Sequence, residues 1–159
     1  MNSKKDGIIN YDNCRYWYHV STTLKHKHEI LIPWDENRGF NRSGNEPDGK
    51  RICVSPTIEQ CITAIPYSWV EIISIYRTKI RVKAYASTGV FDAKVTGERW
   101  LHVPTPFVKI GILNFSKVEK KFNVDNVIPE AASSGDITSS AAVFRWWKNA
   151  NIKSLIKLA

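Results

Sequence analysis

The sequence predicts an α+β domain built on a mixed or antiparallel sheet. Three observations lead there. Short runs of aromatic and β-branched residues recur along the chain, at Arg15–Ser21, Arg51–Ser55, Glu98–Val103 and Phe107–Leu113. Apolar residues at helical spacing fall between and after them, not in regular alternation with them. The 159 residues, 43% hydrophobic and 24% charged, have the composition of one folded domain. The chain is therefore read as a single domain over 1–159, with 1–12 polar and frayed and 129–159 a C-terminal helical segment.

Arg15-Tyr16-Trp17-Tyr18-His19-Val20-Ser21 reads as the first strand. Lys25-His26-Lys27-His28 is a polar link, and Glu29 to Pro33 is a short extended segment closed by its proline. Asp35 to Lys50, rich in Gly, Asn and acids, is a long loop of the kind that usually carries function. The strand Arg51–Ser55 then meets a helix with apolar Ile58, Cys61, Ile62 and Ile65. Ser55 is expected to cap it, with Pro56 in its first position, Glu59 in its first turn and Pro66 ending it. Tyr67 to Tyr76 is apolar all round, so it is buried in either conformation. Lys79 to Tyr85 alternates basic and apolar residues, the mark of a half-buried strand with a cationic face. Thr88-Gly89 reads as a turn. Pro104-Thr105-Pro106 separates the last two strands, and Lys117 to Val127 fits either helix or loop. Asp136 is placed to cap a helix with Ile137, Ala141, Phe144 and Trp147 on one face and cations toward its end.

Composition narrows function. No apolar stretch is long enough to cross a bilayer as a helix, so no membrane is expected. The N-terminus lacks the apolar core of a secretory signal. The odd, scattered cysteines Cys14, Cys53 and Cys61 contain no CxxC pair and point to a reducing cytoplasm rather than a disulfide framework. The +8 net charge favours a polyanionic partner, whether nucleotide, nucleic acid or an acidic protein face, although a basic surface also serves solubility alone. No phosphate-binding glycine loop occurs, and no cluster of metal ligands is expected.

Three groups of residues could carry chemistry. His19 and Ser21 share one side of a strand, where an imidazole and a hydroxyl suit ribose or a carboxamide. The turn from Cys53 to Thr57 opens a helix, whose first N–H groups suit an anion, with Ser55 and Thr57 as the hydroxyls there. His102 stands near Thr105 in an imperfect H-x-[ST] pattern, weakly paired with His19-Val20-Ser21, as in two-histidine phosphodiesterases. That gives an alternative reading as a phosphodiesterase or sequestering protein for cyclic or oligonucleotides. In a further alternative, Arg145-Trp146-Trp147-Lys148 and the basic face around it make a non-catalytic docking surface for nucleic acid or an acidic protein.

In their order, Tyr18-His19-Val20-Ser21, Leu31-Ile32-Pro33, the polar loop, Arg51 to Ile58, Lys79 to Gly89 and Pro106 to Gly111 resemble compact ADP-ribosyltransferase domains, especially the small rifampin type. The resemblance spans about residues 16–115. It implies a split sheet whose cleft binds NAD as a substrate. His19 would hold the nicotinamide ribose, with Tyr18 and Ser21 beside it, and Arg38 or Arg42 would meet the pyrophosphate. Ser55 and Thr57 would flank the same nucleotide, and an acid, Glu98 or Asp92, would orient the ribose for attack by an acceptor. The chain departs from the pattern at Val20, where the family has Gly, and at Cys53, where it has Tyr.

Overall fold

The computed structural model describes residues 16–35, 50–63, 71–78, 85–86, 97–123 and 139–159. These form two antiparallel sheets with helices, so the α+β class is as expected; the described strand pairings are all antiparallel rather than mixed.

The first sheet contains β1 (Trp17–Ser21), β5 (Ile72–Thr78), β8 (Thr105–Asn114) and β2 (His28–Leu31), in that order. The short β9 (Lys157–Leu158) pairs with the far half of β8. β5 settles the ambiguous apolar run: its β-branched Ile72, Ile73 and Ile75 lie in a strand, between two others. β8 starts at Thr105, earlier than its prolines suggested. Pro106 is tolerated because β5 pairs with β8 only as far as Val108, so the missing N–H interrupts no central ladder. The second sheet runs β3 (Trp34–Asp35), β4 (Lys50–Val54), β7 (Arg99–Leu101) and β6 (Tyr85–Ala86). The remainder of the expected Lys79–Tyr85 strand, Thr88-Gly89, Ile65 and Pro66 lie outside the described residues, as does Asp136.

Among the described residues, one isolated rung runs between the sheets. Tyr18 N donates to Ser55 O at 2.9 Å, and Ser55 N to Tyr18 O at 3.0 Å. β1 alternates across this junction. Trp17 belongs to a core with Ile52, Val54, Tyr76, Leu101 and Phe107, while Tyr18 and Val20 pack on the opposite side. That other side holds the larger core, in which Ile62, Ile73, Ile75, Leu113, Val118 and Trp147 are essentially inaccessible.

Helix α1 (Ile58–Thr63) lies against β1 and against α3 (Ser139–Asn149). The expected cap is corrected here. Ser55 is engaged through its backbone with β1, and the helix begins after Thr57, whose Oγ1 accepts from Gln60 N at 3.1 Å and donates to Gln60 Oε1 at 2.9 Å. A Thr three residues before a Gln makes a reciprocal cap that Ser55, two residues too early, does not reach. The segment after Lys117, open in sequence, is α2 (Phe115–Phe122), capped by Asn114 and ended by Asn123 in the left-handed region. Phe122 and Trp146 meet edge to face at 5.1 Å. A 3-10 turn (Ile152–Leu155) then returns the chain to β9.

Candidate functional site

β4 has two partners along one edge. At its start Arg51 pairs with Trp34 of β3, and just past its end Ser55 pairs with Tyr18 of β1. Between those rungs β1 and β3 leave a gap in the edge. A hollow of about 190 Å³ opens there. His19 and Ser21 line it from β1, Thr23 and Leu24 from the turn that follows, and Leu31, Ile32 and Trp34 from the segment around β3, with Ile52 of β4 completing the wall.

His19 is held in the gap by its own chemistry. Its Nδ1 lies 2.8 Å from Cys53 O. A carbonyl only accepts, so Nδ1 carries the proton and donates it. In the neutral ring Nε2 is then the acceptor, and no other hydrogen bond to the ring is found among the described residues. Phe107 packs beside the imidazole, with ring centres 6.0 Å apart. An imidazole fixed by its backbone-bound nitrogen presents the other one in a set direction.

Ser21 shares the hollow with His19, as the strand alternation predicts, but its oxygen is occupied. It accepts from Thr23 N at 3.1 Å and from Leu24 N at 3.0 Å, which folds the chain into the turn that walls the hollow. What Ser21 retains for a ligand is its hydroxyl proton; its Oγ also lies 3.4 Å from Thr23 Oγ1, and either hydroxyl can donate in that pair.

The other expected site residues are distributed elsewhere. Tyr18 lies on the opposite face of β1, where burial pushes its phenol above its ordinary value against the opposing pull of Arg77. Thr57 is the helix cap, and Ser55 is buried at the rung between the sheets. Glu98 is turned away. Ile52 faces Leu101 across the β4–β7 ladder, so a residue three positions before Leu101 lies on the reverse side of that sheet. Glu98 Oε2 there accepts from Trp100 Nε1 at 2.9 Å, and the Arg51 guanidinium sits over the Trp100 ring at 4.3 Å. Cys53 is on that reverse side too and is half-buried, whereas Cys61 is buried. Its backbone oxygen, not its thiol, serves the site. Arg38, Arg42 and Asp92 lie outside the described residues.

His102 does not join His19. Its Nδ1 is 3.3 Å from Lys50 O. Lys50 and Cys53 are three apart in one strand, so their carbonyls point to opposite edges, roughly 10 Å apart along the chain. The two imidazoles are thus bonded to carbonyls on opposite edges of β4.

Sequence reading did not single out Trp34, Leu31, Ile32 and Ile52 as walls. The signal available was Trp34 itself, a large aromatic directly after Pro33; it is 58% exposed at the rim. Among the described residues no group of His, Cys, Asp and Glu is placed to hold a metal ion, and no helix is long and apolar enough to cross a membrane. No family model, curated protein or solved structure matches the chain.

Proposed function

We propose that the protein binds a nucleotide, NAD or a relative of it, with a base and its ribose in the hollow between β1 and β3. The observation that carries this reading is the His19–Cys53 hydrogen bond. It leaves Nε2 of a ring on the wall of the hollow as the nitrogen for a ligand, an acceptor for a ribose hydroxyl in the neutral tautomer. Ser21 adds a donor beside it, and the exposed indole of Trp34 offers a face on which a planar base can stack.

Size decides how much of the ligand enters. Sites for whole drug-sized ligands run from about 300 to 1,000 Å³. A hollow of 190 Å³ takes a base and one sugar and leaves the phosphates outside.

Transfer of ADP-ribose would also require a carboxylate beside the ribose. None of the described lining residues supplies one, and Glu98 faces away. The reading is therefore binding, with transfer as a separate question of chemistry. Titration calorimetry with NAD and with ADP-ribose, on the wild type and on His19→Ala, tests it. The wild type is expected to bind and the variant to lose roughly tenfold or more in affinity, the worth of one well-placed polar contact. Equal affinities would overturn the assignment of His19. Release of nicotinamide during the titration would extend the function to cleavage.

A further inference from the structure

The link Lys25-His26-Lys27-His28 begins one residue beyond Leu24, a wall of the hollow. All four side chains are exposed. Their backbone is not loose. Lys25 O accepts from Lys109 Nζ at 3.4 Å, His26 O from Tyr76 Oη at 2.6 Å, and Lys27 O from Lys109 N at 2.7 Å. Three successive carbonyls are thus bound from the inside, by β5 and β8. Glu29 Oε1, the nearby carboxylate, accepts from His26 N at 3.3 Å.

This arrangement has a chemical consequence. Lys25 and Lys27 display their side chains to solvent, and the Lys109 ammonium adds charge from beneath. A backbone already fixed also costs less to order when an anion arrives. We propose that the 25–28 turn is the phosphate-binding half of the nucleotide site and takes a diphosphate or longer chain that emerges from the hollow past Leu24. The inference rests on the preceding reading for the base and ribose, but its anionic half stands on the turn alone. It favours a nucleotide with two or more phosphates over a nucleoside or a nucleic-acid strand running across the C-terminal helix.

Amide shifts in labelled protein separate the two halves, with tripolyphosphate and adenosine as separate probes. Tripolyphosphate is expected to move the amides of Lys25 to His28 and Lys109, and adenosine those of His19 to Leu24 and Trp34. Lys25→Ala with Lys27→Ala should weaken tripolyphosphate binding about tenfold and flatten its salt dependence, since each lost cation removes a counterion-exchange contact. Adenosine binding should be unchanged in that variant and weakened roughly tenfold or more in His19→Ala. Tripolyphosphate that leaves the 25–28 amides unmoved, or moves those around Arg145 and Lys148 instead, overturns the proposal even where adenosine binds. Tripolyphosphate on the turn with no adenosine in the hollow leaves the anion site standing and removes the nucleoside reading.

Discussion

His19 and Cys53 are joined across the seam between the two sheets, imidazole N–H to backbone oxygen, at 2.8 Å. Because the acceptor is main chain, the side chain at position 53 is dispensable to the bond. Cys53→Ala should therefore bind NAD or ADP-ribose within about twofold of wild type, whereas His19→Ala loses roughly tenfold or more in affinity. His19→Asn separates the two roles of the ring: its amide can keep the bond to Cys53 O but does not reproduce Nε2. Calorimetry that finds Cys53→Ala as damaged as His19→Ala would place the thiol, not the carbonyl, in the site.

Thr57 and its neighbours present the helix start that sequence reading offered as an anion site. The structure makes Thr57 a cap. Thr57→Ala should cost about 1 kcal/mol of stability in urea unfolding, within the range of lost caps, and Thr57→Ser should restore most of it. Ligand affinity should not move in either variant. A change in affinity without a change in stability would return Thr57 to the binding site.

Much of the architecture was legible. The strand at Trp17–Ser21 and the helix after Thr57 follow from alternation and spacing, and so does the shared side of His19 and Ser21. What could not be read is instructive. Ile73 to Tyr76 carries no period because it is covered on both faces, so local pattern does not distinguish strand from helix there, while Ile72, expected to be buried, is exposed at the strand's start. Glu98 was an attractive acid in one dimension, but which face of β7 it occupies depends on pairing register with β4, a long-range property. The cap moved from Ser55 to Thr57 for a similar reason: Ser55 is claimed by a strand 37 positions away in sequence, Tyr18, through the rung between the sheets.

Gly111 is a position where nothing larger fits. A Cβ there would come within 2.5 Å of Ile156 Cγ2 and 2.8 Å of Lys157 O, and the second is backbone that moves only if β9 moves. Gly111→Ala should destabilise by roughly 1–3 kcal/mol, the usual cost of overpacking. Removing residues 156–159 in the same chain should recover part of that loss. A double-mutant cycle with no coupling between the two changes would show that β9 is not seated on Gly111.

Trp147 is fully buried, meets Phe115 and Trp146 edge to face, and buries an indole N–H with no hydrogen-bond partner among the described residues. Size and polarity thus act in opposite directions. Trp147→Ala should cost about 3–5 kcal/mol through the cavity it leaves. Trp147→Phe should cost far less, because it also removes a donor that gains nothing in place. Chemical denaturation of the two variants checks the contrast; equal losses would mean that the N–H is satisfied after all.

Alkaline stability follows from Tyr76. Burial raises its phenol above the ordinary value near 10, and Glu29 pushes in the same direction. The folded state therefore holds the phenolic proton more tightly than the unfolded chain. Its contribution is complete below about pH 10 and is lost as pH rises through the higher folded value. Ionisation would also remove the donor to His26 O. In Tyr76→Phe the alkaline decline should be shallower, with Tyr18 supplying what remains. An identical decline in wild type and Tyr76→Phe would rule Tyr76 out as its source.

Among the described residues, the Tyr18–Ser55 rung, the His19–Cys53 hydrogen bond and the core of Trp17, Ile52, Val54, Tyr76, Leu101 and Phe107 meet at the join between the sheets. A guest that fills the hollow would touch both sheets, His19 and Ser21 from the first and Trp34 and Ile52 from the second, and so add a further tie across the join, measurable as slowed amide exchange at Tyr18 and Ser55 when the guest is present.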